Sequence, residues 1–194
     1  MTNLPGTHDR SVPSLGRSVM TGAIGFGVVS LIVFATVAYA ERWMYQHLSS
    51  IGAYLAWTLL FILLGGGALG SLVVGRWRLP KFYLLYGLAF FVYAMNWMAA
   101  YFLLRGTAGE WVGSLAGSIM MALVFAAGFE KLRSTLKFAS ILFVSNSLGY
   151  FLGAALYDAV RSPRGMLFWG VVYGLFLGAG IGAVLHYAQV RQSS

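Results

Sequence analysis

Cysteine is missing from all 194 residues, which excludes disulfides, thiolate metal sites and cysteine nucleophiles. Charge is nearly as scarce. Lys, Arg, Asp and Glu make up 9% of the chain, against about 25% in ordinary soluble domains. Only 5 residues are acidic and 4 are proline. So few charged side chains cannot cover a soluble surface. What is present is apolar: 59% hydrophobic residues and a mean hydropathy of +0.77. The composition is that of an all-α, polytopic membrane protein. The net charge of +8 is expected to sit in loops facing an anionic leaflet rather than on nucleic acid. No phosphate loop or zinc motif occurs. Paired histidines at depth, needed for haem ligation, are also missing, so no cofactor is expected.

Crossing a hydrocarbon core of ~30 Å takes about 20 apolar residues. Six stretches qualify, over 19–40, 51–75, 82–104, 109–129, 138–157 and 166–188. They are continuous runs, not the alternating ~10-residue stretches of a barrel. The chain then divides into a flexible tail over 1–18, a six-helix transmembrane domain over 19–188 and a short tail over 189–194. Arg10, Arg17, Arg76, Arg78, Lys81, Lys131, Arg133, Lys137 and Arg191 would share one side. Arg42, Arg105, Arg161 and Arg164 would lie on the other. Basic residues favour the inner face, which puts both termini in the cytoplasm, with a bacterial inner membrane as the expected setting. Trp43, Tyr45, Trp77, Trp111, Tyr157, Trp169 and Tyr187 fall near span ends, as interfacial anchors do. Ala38-Tyr39-Ala40 before Glu41 offers a competing reading as a signal-peptidase site, but the preceding apolar run exceeds the ~7–15 residues of a secretory core.

Glycine recurs at every fourth position: Gly170, Gly174, Gly178 and Gly182; Gly109, Gly113 and Gly117; Ser145, Gly149 and Gly153; Gly67, Ser71 and Gly75. Such columns let helix backbones approach closely, serving either static packing or sliding and oligomer-forming faces. Gly65-Gly66-Gly67 weakens its helix by ~1 kcal/mol per residue relative to alanine, suggesting a hinge. Mid-depth polar residues are neutral: Asn96, Asn146 with Ser145 and Ser147, Ser118, Ser30 and Thr58. An amide in hydrocarbon needs partners, so Asn96 and Asn146 are either interhelix clamps or solute contacts. Tyr93, Trp97 and Tyr101 would wall such a site. Glu41, Glu110, Glu130 and Asp158 all fall at span ends, and Asp158 and Arg161 could pair if their helix continues.

The halves also echo each other. Leu69-Gly70, Arg78, Pro80 and Gly87 correspond to Leu148-Gly149, Arg161, Pro163 and Gly170, which suggests a 3+3 inverted repeat. Residues 67–78, GALGSLVVGRWR, resemble the loop joining the second and third helices of major facilitator superfamily transporters. Ser147 through Gly153, continuing to Tyr157-Asp158 and Arg161, is similar to another common pattern of that superfamily. Six helices with both termini inside is also the size of one transporter half. The resemblance implies a partner half, hence a homodimer or other membrane subunits. One departure stands out: the acidic residue expected before the basic turn at Arg76 is replaced by Val74-Gly75.

Ser114, Ser118 and His186 invite comparison with intramembrane proteases of the rhomboid type. The fourth span, however, lacks the G-x-S-G of that family, and His186 lies at the far end of the sixth. No enzyme is expected. The sequence favours a small transport protein moving a neutral or weakly polar solute as an oligomer, through Asn96, Asn146, Ser145, Tyr93 and Trp97. The alternative is a non-catalytic accessory subunit of a larger membrane complex, packed through its glycine faces.

Overall fold

The computed structural model describes residues 11–75 and 78–190; Arg10, Arg76, Trp77 and Arg191 lie outside the described residues. Five helices follow in order: α1 Leu15–Leu69, α2 Arg78–Leu104, α3 Gly106–Gly128, α4 Thr135–Val160 and α5 Pro163–Gln189. Among the described residues there is no strand. All five helices are long and apolar enough to cross a membrane. Their starts follow local chemistry. The Ser14 hydroxyl accepts from the Arg17 amide at 3.4 Å. Ser162 does the same for Gly165, with Pro163 opening α5 where its missing N–H costs nothing.

The first two expected spans form one helix of 55 residues, interrupted at Ser49. Ser49 has φ 61° and ψ 174°, and there the chain reverses. Phe26 stacks on Phe61 with ring centroids 5.5 Å apart, and Tyr45 meets Trp57 edge-on at 5.9 Å. The arms over 15–48 and 50–69 are therefore an antiparallel pair. This backbone region costs a non-glycine residue about 1–3 kcal/mol. Ser49→Gly is accordingly expected to stabilise the protein by about 1 kcal/mol, read as a rise in thermal unfolding temperature. An unchanged or lower temperature would mean that the corner is not strained.

The helices are turned inside out relative to a soluble bundle. Along the first arm Met20, Ile24, Val28 and Ile32 are 59%, 57%, 54% and 46% exposed, one stripe at i, i+4 spacing. Small and aromatic residues face inward. A continuous exposed apolar stripe has no place in water and suits hydrocarbon.

The glycine columns are consumed inside the chain. On α5, Gly174, Gly178 and Gly182 lie against Gly27, Gly22 and Ser18 of the first arm, and Gly170 lies against Phe34. At Gly178 an added Cβ would run into the Gly22 carbonyl. On α3, Gly109, Gly113 and Gly117 abut Ala100, Trp97 and Tyr93 of α2, while Gly149 and Gly153 of α4 take Tyr173 and Trp169 of α5. The fourth column breaks up. Helix α1 ends at Leu69, Ser71 lies in a single 3-10 turn and Gly75 adopts φ 111° beyond it.

Gly65-Gly66-Gly67 does not unwind. It stays helical and leaves room for α2, whose Tyr86 and Tyr83 hydroxyls donate to the Phe61 and Leu63 carbonyls at 3.2 Å each. Added Cβ atoms at Gly65 and Gly66 would strike those rings. In this conformation the segment is a packing notch for the two tyrosines.

One end of the bundle is tied across its helices. Gln189 on α5 accepts from the Val74 amide at 2.9 Å and donates to the Leu72 carbonyl at 3.0 Å. The His186 Nδ1 donates to the Pro13 carbonyl at 2.8 Å. Ser49, Arg105 and Arg161 mark the corners at the opposite end, all with positive φ.

Candidate functional site

In the half of the bundle nearer those corners, the arms of α1 separate from α2 and α5 around a partly open cavity of about 280 Å³. Twelve of the nineteen lining residues are aromatic, far above the 16% of the whole chain. They come as stripes at helical spacing: Tyr54, Trp57 and Phe61 on the second arm, Phe90, Tyr93, Trp97 and Tyr101 on α2, and Trp169 and Tyr173 on α5. Each helix rotates about 100° per residue, so rings three or four apart share a face. Interleaved stripes from three directions close most of a cylinder.

The rings are held in place by one another. Trp97 stacks on Tyr101, with centroids 5.0 Å apart and ring planes 10° from parallel, and Tyr150 tilts against Trp97 at 5.7 Å. Trp57 meets Tyr54 edge-on at 5.5 Å. Phe34 leans on both Trp169 and Tyr173. The Trp57 indole N–H is buried without a hydrogen-bond partner, although a buried indole N–H normally finds one. Thr58 beside it spends its hydroxyl on the Tyr54 carbonyl at 2.8 Å.

Below the wall runs a chain of neutral hydrogen bonds. The Tyr93 hydroxyl donates to Asn146 Oδ1 at 2.7 Å and lies 3.1 Å from the Tyr173 hydroxyl. Asn146 Nδ2 donates to Ser114 Oγ at 2.7 Å, and Ser114 meets Ser147 at 2.8 Å. A hydroxyl has one proton to give. Tyr93 gives its proton to Asn146, so the Tyr173 hydroxyl must donate to Tyr93. The sequence of bonds is directional from α5 through α2 to α4 and α3, and it satisfies every polar atom of the Asn146 side chain but one amide hydrogen.

The residues expected at the site divide sharply. Tyr93 and Trp97 line the cavity. Asn146 is fully buried beneath it as an interhelix clamp. Ser145 faces Gly180 of α5 and does not line the cavity. Asn96 is half-buried, donates to the Val92 carbonyl one turn back in its own helix at 2.8 Å, and is likewise not part of the wall. Asn96 and Asn146 therefore do not converge. Asn96 precedes Trp97 by one residue, about 100° round the helix, and its amide is turned back onto its own backbone at Val92.

Sequence reasoning passed over Phe34, Tyr54, Trp57, Phe90 and Tyr173, and it assigned Tyr45 and Trp169 to the interface with the headgroups. The signal was present in the recurrence of aromatic residues at spacings of three and four on three separate spans. Of the acidic residues, Glu41 lines the cavity mouth, and Glu110 accepts from the Tyr150 hydroxyl at 3.1 Å. Asp158 and Arg161 do not form the expected side-chain pair. The helix ends there, and Arg161 Nε donates to the Asp158 backbone carbonyl at 3.2 Å. Ser114 is engaged with Asn146 and Ser147, while His186 is bonded at the tied end. No family model, curated protein or solved structure matches this chain.

Proposed function

We propose that the chain is a small integral membrane transport protein whose solute site is the aromatic cavity. In this reading each arm of α1 spans the bilayer separately. That gives six crossings, with both termini in the cytoplasm of a bacterial inner membrane. The cavity then opens away from the cytoplasm, and the end tied by Gln189 and His186 faces it. The observation that carries the reading is the cavity itself, partly open and walled by twelve aromatic side chains drawn from α1, α2, α4 and α5.

Pairing with a second copy or a partner half remains part of the proposal, following the resemblance to one half of a major facilitator superfamily transporter. The alternative, a non-catalytic accessory subunit of a larger membrane complex, would dock through other surfaces, since the glycine columns of α3, α4 and α5 pack against the chain's own helices.

Proteoliposome flux over a panel of small uncharged and singly charged solutes tests the assignment. Saturable flux is expected to fall at least tenfold in Trp57→Ala and to stay within twofold of wild type in Asn96→Ala. The reverse pattern, loss with Asn96→Ala and retention with Trp57→Ala, would overturn the site.

A further inference from the structure

Resting on the reading of the cavity as a solute site, we infer that its ligand is an organic cation: an ammonium head, substituted enough to shed water easily, on an apolar body. The wall has one electrostatic character. Aromatic rings present negative faces and attract cations within about 6 Å of the ring centre, tryptophan most strongly. Three indoles, Trp57, Trp97 and Trp169, face this space together with six tyrosines. In the Trp97–Tyr101 pair the stacking occupies one face of the indole.

The charges agree with the rings. Glu41 is the one charged residue in the wall, and none of the described lining residues is Lys, Arg or His. Arg42 follows Glu41 directly, about 100° further round the helix, and is not part of the wall. Glu110 adds a second carboxylate immediately behind Tyr150.

Other ligand classes fit less well. An anion would meet a carboxylate and π faces. A hard metal ion needs about six oxygen ligands, which a wall of rings does not supply. A purely apolar guest would leave Glu41 unused. A volume of about 280 Å³ lies at the small end of ligand pockets and suits a compact head with one ring or short chain.

The test compares two molecules of the same shape. Benzyltrimethylammonium and neopentylbenzene differ by a quaternary nitrogen in place of a carbon. The full chain in lipid nanodiscs is titrated with each, following tryptophan fluorescence. Saturable binding of the cation at least tenfold tighter than of the hydrocarbon is expected. It should weaken at least fivefold in Glu41→Gln, with the unfolding temperature unmoved, and should decline as salt screens Glu41. Equal affinity for the two, or cation binding indifferent to both Glu41→Gln and Trp57→Ala, overturns the cation inference. So does saturable binding of neither. The hydrocarbon binding in a Trp57-dependent way would sink the cation while leaving the cavity as a solute site. That wider reading falls only with the flux pattern stated above.

Discussion

Gly178→Val is expected to abolish recovery of the folded protein or to lower its stability by several kcal/mol, the largest effect of any single substitution considered. The reason lies in what faces the residue. Its nearest neighbours are the Gly22 carbonyl and the Cβ of Phe26, and Phe26 is fully buried. Neither is the free end of a flexible side chain. Relief requires the first arm to move away from α5, and that opens the seam at Gly174 and Gly182 as well. Overpacking in a core commonly costs about 1–3 kcal/mol, and here one substitution would spread over three contacts. Between helices in lipid, dispersion is the main attraction, so separation forfeits much of what holds the pair. Gly16→Ala supplies the comparison, because nothing lies within 4 Å of a Cβ there. Size-exclusion profiles and thermal unfolding in detergent should show Gly16→Ala indistinguishable from wild type and Gly178→Val aggregated or strongly destabilised. A well-behaved Gly178→Val protein would mean that the two helices are not in backbone contact.

Asn146→Leu should destabilise by about 2 kcal/mol. The amide joins α2 to α3 through α4, and both groups it serves are buried. The loss is limited because each group keeps a second partner, Tyr173 for Tyr93 and Ser147 for Ser114. Interhelix hydrogen bonds in membranes are worth about 0.6–2 kcal/mol, so two such bonds with partial rescue give this figure. Tyr93→Phe should cost about half as much. The double variant should cost less than the sum of the two, because the Tyr93–Asn146 bond is removed in each. Additive losses in thermal or denaturant unfolding would show that the two side chains act separately.

The sequence made the helical character plain, and most helix limits fall within a few residues of the apolar runs. Long stretches of Leu, Val, Phe and Gly admit few other conformations in lipid. The reversal at Ser49 was legible only as the gap between two runs. Nothing in Ser49-Ser50 announces a positive φ, which is imposed by packing of the arms on either side. The glycine columns were legible as close contacts, but not which helix they met. Pairing the first arm with α5 depends on contacts far apart along the chain. Asn96 and Asn146 looked equivalent as lone amides. They differ because one faces its own backbone and the other faces three helices, a matter of rotation by a few residues. Only the wall of Tyr93, Trp97 and Tyr101 was anticipated, because each of the other aromatic stripes taken alone is ordinary core. The stripes become a container only when three of them turn toward the same axis.

The seam between the first arm and α5 also sets an order of events during synthesis. Gly178 follows Gly22 by 156 residues, which at about 5–20 residues per second means a wait on the order of ten seconds or more. Throughout that interval the first arm has its glycine groove uncovered. The nascent chain must therefore be sheltered, by lipid or by the insertion machinery, until α5 arrives to close the seam.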